Sequence, residues 1–207
     1  MSVRIDHATA EGTFSLDGQT FDVENNIWVL GDDECCVVFD APHDVQAVTE
    51  LVAGRACVAV ILTHAHDDHV RHAPALAKAL DAPLHLNPAD HEVWALTHPD
   101  QRWDVDLHDG DTFTIAGVEL KAIATPGHSP GSMCFHVPEL GVLFSGDTLF
   151  EGGPGATGRS FSSREVIEQS IRGRLFVLPE DTVVHTGHGP STTIGAEKKA
   201  MEAPEGS

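Results

Sequence analysis

Four candidate metal ligands, His64, His66, Asp68 and His69, are crowded into six positions of this chain. The segment reads His64-Ala65-His66-Asp67-Asp68-His69. It follows residues 57–62, an apolar run that is typical of a buried strand. His64 and His66 are two apart, so an extended backbone would direct both side chains the same way. Asp68 and His69 can then fold back as the chain turns toward a helix. Imidazole nitrogen combined with carboxylate oxygen suits Zn²⁺ or another first-row metal.

Three further candidate ligands each come directly after a predicted strand: His128, Asp147 and His188. His128 lies in a short segment with two prolines and two glycines, a composition that predicts a tight loop. Asp147 follows the largely apolar residues 142–146, where burial makes an unpaired carboxylate costly and a bound metal offsets that cost. Glycines on both sides of His188 let the backbone approach a ligand closely, although His185 is near enough to compete for this place.

The pattern of apolar residues predicts the elements that position these side chains. In the first half it predicts strands at 21–23, 27–30, 36–39, 57–62 and 84–86, helices at 44–53 and 75–80, and a third helix capped by Asn87. In the second half it predicts hairpins at 112–124 and 133–144, a helix that begins at the capping box Ser162-x-x-Glu165, a strand at 182–185 and a short helix from Glu197. Strands followed by a helix in each half predict an α/β fold of two packed sheets with outer helices.

The length of 207 residues predicts a single domain over 1–207, with a flexible tail at 200–207. The formal net charge of -20 repels phosphate, so neither nucleic acid nor an anionic membrane is expected as a partner. No signal peptide is apparent, and the apolar run at 56–62 is too short to cross a bilayer. Four cysteines without a C-x-x-C pair indicate reduced thiols, which favours a cytoplasmic location.

The order H-x-H-x-D-H, then His, Asp and His, resembles the metallo-β-lactamase superfamily, and it is most similar to the glyoxalase II-like (hydroxyacylglutathione hydrolase-type) hydrolases. The matching segments are 63–69, 125–131, 144–149 and 186–198. The resemblance implies a four-layer αββα sandwich of two mixed β-sheets, with two metal ions at one edge. It implies that one metal is bound by His64, His66 and His128. It implies that the second is bound by Asp68, His69 and His188, and that Asp147 bridges the pair.

Such a site implies a binuclear metallohydrolase with two divalent ions per chain, zinc first and iron or manganese as alternatives. A metal-bound hydroxide would be the attacking species, and Asp68 would orient it while binding the metal. No G-x-S-x-G motif is present, so a serine nucleophile has no candidate.

Resemblance to glyoxalase II favours a small-molecule acyl-thiol as the substrate. The chain ends about where the C-terminal helical glutathione-binding domain of that enzyme would begin, so no such domain is expected. The thiol carrier is therefore open between glutathione, another small thiol and coenzyme A. Arg159, in the loop after Asp147, is a candidate contact for a substrate carboxylate, and a solvated surface arginine is the competing interpretation.

Other functions remain open from the motif. Persulfide dioxygenases also resemble this family and use one iron held by two histidines and an aspartate, for which His66 (or His64), His128 and Asp147 would serve. A phosphodiesterase or nuclease, a β-lactamase and a metal-stabilised binding module are further alternatives. The sequence does not predict the oligomeric state.

Overall fold

A computed structural model describes residues 2–203, which are built around two six-stranded β-sheets. The strands of the first sheet are β1 Arg4–Leu16, β2 Gln19–Gly31, β3 Cys35–Phe39, β4 Ala56–Ile61, β5 Leu84–Leu86 and β6 Val105–Asp106, adjacent in that order. Those of the second are β7 Thr112–Ile115, β8 Val118–Ala124, β9 Met133–Val137, β10 Val142–Gly146, β13 Val183–Thr186 and β14 Thr192–Thr193. A separate short pair comprises β11 Leu149–Phe150 and β12 Gly153–Pro154. Both six-stranded sheets mix parallel and antiparallel neighbours.

Helices cover the outer faces of the two sheets. Their bounds are α1 Val45–Val52, α2 Asp67–Val70, α3 Ala73–Leu80, α4 His91–Thr97, α5 Arg164–Ser170 and α6 Ile194–Glu202. A π-helical turn, Ile171–Leu175, continues α5. None of the helices within residues 2–203 is both long and apolar enough to cross a membrane.

Three buried hydrophobic clusters separate four layers. One lies between the first sheet and α1, α3 and α4, one between the two sheets, and one between the second sheet and α5 and α6. In the middle cluster Phe39 stacks on Phe144, with ring centroids 4.1 Å apart, and both rings are about 1% exposed. Burying each ring contributes about 2–3 kcal/mol. This packing confirms the predicted αββα sandwich.

The direction of the strands brings the candidate ligands to one edge. β8, β10 and β13 run the same way, because β9 is antiparallel to both β8 and β10, and β13 is parallel to β10. Their carboxyl ends therefore meet at one edge of the second sheet. The first sheet is joined to this edge where Met133 N–H donates to Thr63 O, just beyond β4, at 2.8 Å.

The N-terminal hairpin differs from the prediction. The two short strands predicted at 21–23 and 27–30 are parts of one strand, β2, and all of its residues pair with β1, which was not predicted. Asp17 and Gly18 form the turn with φ of 54° and 72°. An Asp-Gly pair with positive φ is a strong hairpin signal, and it was available in the sequence.

Two helix starts also differ. Ser163, not Ser162, caps α5, because its hydroxyl accepts from Val166 N–H. The last helix begins at Ile194 rather than Glu197, because the Thr193 hydroxyl caps it. This helix includes residues 200–202 of the predicted flexible tail, and residues 204–207 lie outside the described part of the chain.

Candidate metal centre

Four loops at the shared sheet edge bring together all seven predicted ligands. The backbone of His66 is extended, with φ -63° and ψ 146°, and α2 begins at the next residue. His64 and His66 therefore point into the edge, and the first turn of α2 returns Asp68 and His69 to the same place. All four side chains are buried.

The first group consists of three imidazoles. His64 Nε2 lies 3.0 Å from His66 Nδ1, and that Nδ1 lies 2.9 Å from His128 Nε2. Ligand atoms about 2.0–2.1 Å from one tetrahedral zinc ion lie about 3.3 Å apart, so this spacing is close to that of a coordination shell.

The second group consists of Asp68, His69 and His188. Asp68 Oδ2 lies 3.4 Å from His69 Nε2 and 3.2 Å from His188 Nε2, and these two nitrogens are 3.2 Å apart. His185 is elsewhere, with its ring centroid 4.3 Å from that of Trp28. His188, not His185, is therefore the histidine of this strand end that reaches the cluster.

Asp147 lies between the two groups. Its Oδ2 is 3.5 Å from His128 Nε2 and 3.4 Å from His188 Nε2, and its Oδ1 is 3.4 Å from His69 Nε2. Oδ1 is buried and makes no hydrogen bond within residues 2–203. A buried carboxylate oxygen without a donor is costly, so its surroundings suit a cation.

Hydrogen bonds on the far side of each ring indicate which nitrogen is free. His128 Nδ1 lies 2.9 Å from Ala156 O, and His188 Nδ1 lies 2.7 Å from Glu24 O. A carbonyl only accepts, so both Nδ1 atoms carry hydrogen and both Nε2 atoms face the cluster, where each can bind a metal ion once it is unprotonated. His69 is held in the same way, with Nδ1 2.9 Å from a carboxylate oxygen of Asp40.

The tautomer of His64 is fixed in the same way, but its partner is a hydroxyl group. The Thr63 hydroxyl donates to Asp40 Oδ2 at 2.9 Å, so it accepts from His64 Nδ1 at 3.0 Å. Four of the five rings thus turn Nε2 toward the cluster. Hydrogen-bond partners on the opposite ring nitrogen are typical of metal-binding histidines.

The two groups differ in their electrostatics. Burial lowers the pKa of His64 well below its usual value and that of His66 to about 3, so both are neutral bases. Burial also opposes the charge on His188, but Asp147 and Asp68 outweigh it and raise the pKa of His188 to about 10. Burial disfavours the charged form of Asp68 as well, yet His69 and His188 lower its pKa to about 2. The second group therefore holds an ionised carboxylate, that of Asp68, which attracts positive charge.

Three residues that support the ligands were missed by sequence reasoning. Asp40 accepts from Thr63 and His69, Asp90 accepts from the loops on either side of the first group, and Asn25 donates to Asp68 at 3.0 Å. Asp40 carried a usable signal, because it directly follows an apolar strand, as the ligands do. Nothing local distinguishes the other two.

A cavity of about 230 Å³ opens onto the cluster. Its other walls are largely apolar and include Phe14, Leu16, Val23 and Phe150. The guanidinium of Arg159 also lines it, with its carbon 4.6 Å from the centre of the Phe21 ring. Within residues 2–203 Arg159 forms no salt bridge, and its buried Nε has no hydrogen-bond partner.

Comparison with protein families and curated sequences identifies relatives. A sequence model described as the metallo-beta-lactamase superfamily matches residues 21–188. The probable metallo-hydrolase YqgX of Bacillus subtilis is 30% identical over 190 residues, covering 85% of this chain and 90% of that protein. Hydroxyacylglutathione hydrolase of Aeromonas salmonicida is 34% identical over 172 residues, covering 80% of this chain and 61% of that enzyme.

Solved structures agree on the fold. The BLEG-1 B3 metallo-beta-lactamase has a TM-score of 0.74 at 30% identity, covering 90% of this chain and 95% of that one. TTHA1623 in a di-iron-bound form has a TM-score of 0.74 at 33% identity, covering 86% of this chain and 94% of that one. The second neighbour carries two iron ions on this scaffold.

Proposed function

Because this chain belongs to the metallo-β-lactamase superfamily, we propose that it is a binuclear metal-dependent hydrolase that cleaves the thioester of a low-molecular-weight thiol. The metal ligands in this proposal are the seven side chains of the cluster. They are His64, His66 and His128 for one ion, Asp68, His69 and His188 for the other, and Asp147 between them.

One observation about the cavity supports a thioester in particular. The cavity-lining acids and imidazoles are Asp68, Asp147, His66, His128 and His188, and every one belongs to the ligand cluster. Among residues 2–203, no acid outside the ligand cluster therefore lines this cavity to protonate a leaving group. A thiolate needs little protonation, since thiol pKa values are near 8.5, whereas alkoxide and amide leaving groups need a proton donor.

In this proposal the residues of the chain hold the metal ions and orient the attacking water and the substrate. Two divalent ions supply, when bound, a water of lowered pKa and a polarised carbonyl. The ionised Asp68, at the cavity wall, would orient the attacking water. Phe14 and Phe150 would exclude bulk water from the acyl group, which strengthens the electrostatic interactions inside.

Arg159 is the proposed contact for an anionic group of the substrate. It is only partly exposed, its guanidinium is stacked on Phe14 and Phe21, and it lines the same cavity as the ligands. In a chain with 12 Lys+Arg and 32 Asp+Glu, a guanidinium without a salt-bridge partner within residues 2–203 would favour an anionic group such as a carboxylate at this place.

The alternative function, a persulfide dioxygenase with one iron, would use only part of the ligand cluster. Two histidines and one aspartate would suffice for a persulfide dioxygenase-like site, and Asp68, His69 and His188 would then converge without a role. A site that binds two metal ions accounts for both ligand groups and for the position of Asp147 between them.

The experiment is metal analysis combined with a panel of acyl-thiols, with release of free thiol measured in each case. We expect two metal ions per chain, thiol release from at least one acyl-thiol, and at least a 100-fold loss of kcat in Asp68→Ala. One iron per chain with oxygen uptake on a persulfide would instead establish the oxidoreductase. Turnover of a β-lactam or a phosphodiester with no thiol release would also refute the thioester assignment.

A further inference from the structure

Asn25 lies directly behind the second ligand group. It is 1% exposed, and its Nδ2 is 3.0 Å from Asp68 Oδ2, 3.3 Å from His69 Nε2 and 3.5 Å from His188 Nε2. One amide therefore touches all three members of this group and none of the first.

The hydrogen-bond partners determine which way the amide faces. An ionised carboxylate only accepts, so the NH₂ of Asn25 must face Asp68. Its carbonyl oxygen then faces His43, whose Nε2 is 2.7 Å away and must donate. His43 thus carries its hydrogen on Nε2, the reverse of His69 and His188.

His43 has few other bonds that could hold it there. Its Nδ1 is buried and has no partner within the described residues. Its ring is wedged against Gly12, where an added Cβ would lie 2.1 Å from the ring. His43 is therefore held by packing and by its bond to Asn25, and it fixes the orientation of the Asn25 amide.

We propose that Asn25, oriented by His43, is a positioning residue that sets the affinity of the second metal site. The proposal rests on the two-metal function proposed above. Hydrogen bonding by Asn25 holds Asp68 Oδ2 between the two imidazoles before the metal arrives. Loss of such a partner of a ligand typically costs about 10–100-fold in metal affinity.

The test measures zinc affinity at each site by competition with a chromophoric chelator, and follows Co²⁺ absorption as a report of coordination. Asn25→Leu keeps the side-chain volume without a donor. We expect it to keep the first zinc equivalent at the affinity of the unchanged protein and to bind the second about 10–100-fold more weakly. The thermal midpoint of the metal-free protein controls for a purely structural effect.

Two substitutions of His43 form a matched pair of variants. His43→Gln retains an N–H at the position of Nε2 and should keep the second-site affinity, whereas His43→Leu should weaken it. This pair decides the matter even where Asn25→Leu does not fold. Equal second-site affinities in the Gln and Leu variants, or equal weakening of both sites in Asn25→Leu, would overturn the inference. Fewer than two equivalents in the unchanged protein would overturn the proposed function and this inference with it.

Discussion

A metal ion meets different competition from protons at the two groups of ligand histidines. In the metal-free protein at neutral pH, His66 is unprotonated because burial lowers its pKa to about 3, whereas His188 holds a proton because Asp147 and Asp68 outweigh burial and raise its pKa to about 10. Zinc must displace the proton on His188 to bind there, and none on His66. The affinity for zinc should therefore depend on pH differently at the two sites.

The first prediction is that the second site binds zinc more tightly as pH rises. As pH rises from 6 to 8 the competing proton on His188 becomes easier to lose, so affinity at the second site should rise by about tenfold per pH unit for each proton displaced. Affinity at the first site should depend less on pH. Chelator competition at pH 6, 7 and 8 measures both. Equal pH slopes at the two sites would contradict the assignment.

The second prediction concerns Asp40, which accepts from Thr63 N–H, the Thr63 hydroxyl and His69 Nδ1. Asp40→Asn replaces the carboxylate by a neutral amide and places its NH₂ either against Thr63 N–H or against the Thr63 hydroxyl and His69 Nδ1, so the hydrogen bond that orients His69 is weakened or lost. We expect metal affinity or kcat/KM to fall about 10–100-fold. Asp44→Asn is the control, because Asn caps α1 as well as Asp does and should leave both quantities unchanged. Unchanged metal affinity in Asp40→Asn would refute this role.

Asp90, which precedes α4, joins two of the loops that carry the ligands. It is fully buried and accepts from Ala65 N–H at 2.8 Å, from the Ser129 hydroxyl at 2.8 Å and from Gly131 N–H. One carboxylate at the start of α4 thus ties the loop of His64 and His66 to the loop of His128.

The third prediction is that Asp90→Ala destabilises the protein, because each backbone N–H left unpaired costs about 1–3 kcal/mol. Thermal unfolding should show a midpoint lowered by several degrees, and the folded fraction should bind the first metal more weakly. Asp90→Asn, which retains acceptor capacity, should lie between the two proteins. A midpoint unchanged in Asp90→Ala would show that the two loops do not depend on this residue.

The fourth prediction concerns the loop after β13, where Gly187 N–H donates to Gly146 O at 2.9 Å. A Cβ at Gly187 would lie 2.1 Å from Asp147 Oδ1 and 2.9 Å from His69 Cε1, so Gly187→Ala must displace a ligand. We expect loss of the second metal and at least a tenfold fall in activity. Gly173→Ala is the control, because nothing lies within 4 Å of its added Cβ. Two metals bound in Gly187→Ala would contradict this geometry.

The overall negative charge of the protein couples the stability of its folded state to metal binding. The chain carries a formal charge of -20, which repels itself in the compact state, and Asp68 and Asp147 add two carboxylates at one buried edge. Two divalent ions would bring four positive charges to that edge.

The fifth prediction is that chelation lowers the thermal midpoint. A ligand present at 100 times its Kd stabilises the folded state by about 2.7 kcal/mol, so removal of two such ions should give a shift of several degrees. Differential scanning calorimetry before chelation, after it and after return of Zn²⁺ measures the effect. An unchanged midpoint would show that metal binding and folding are not coupled here.

Much of the fold was predictable because its signals are local. Apolar periodicity indicated α1, α3 and both hairpins of the second sheet, and the structure confirms them within a few residues. β1 was missed because its alternation is weak, and its stability comes from pairing with β2. Ser162 matches the capping-box pattern because Glu165 lies three residues later, but the geometry of the chain makes Ser163 the residue that caps α5.

The candidate metal ligands could be predicted from the sequence, because ligand type and position after a strand are local properties: His64, Asp147 and His188 each follow an apolar run. The residues that hold them could not be predicted, because they come together only when the chain folds. Asn25 and Asp68 are 43 positions apart, and Asp90 and Ser129 are 39 apart. Such pairs leave no mark on local composition, since they depend on how the two sheets pack and which loops their strand ends bring together.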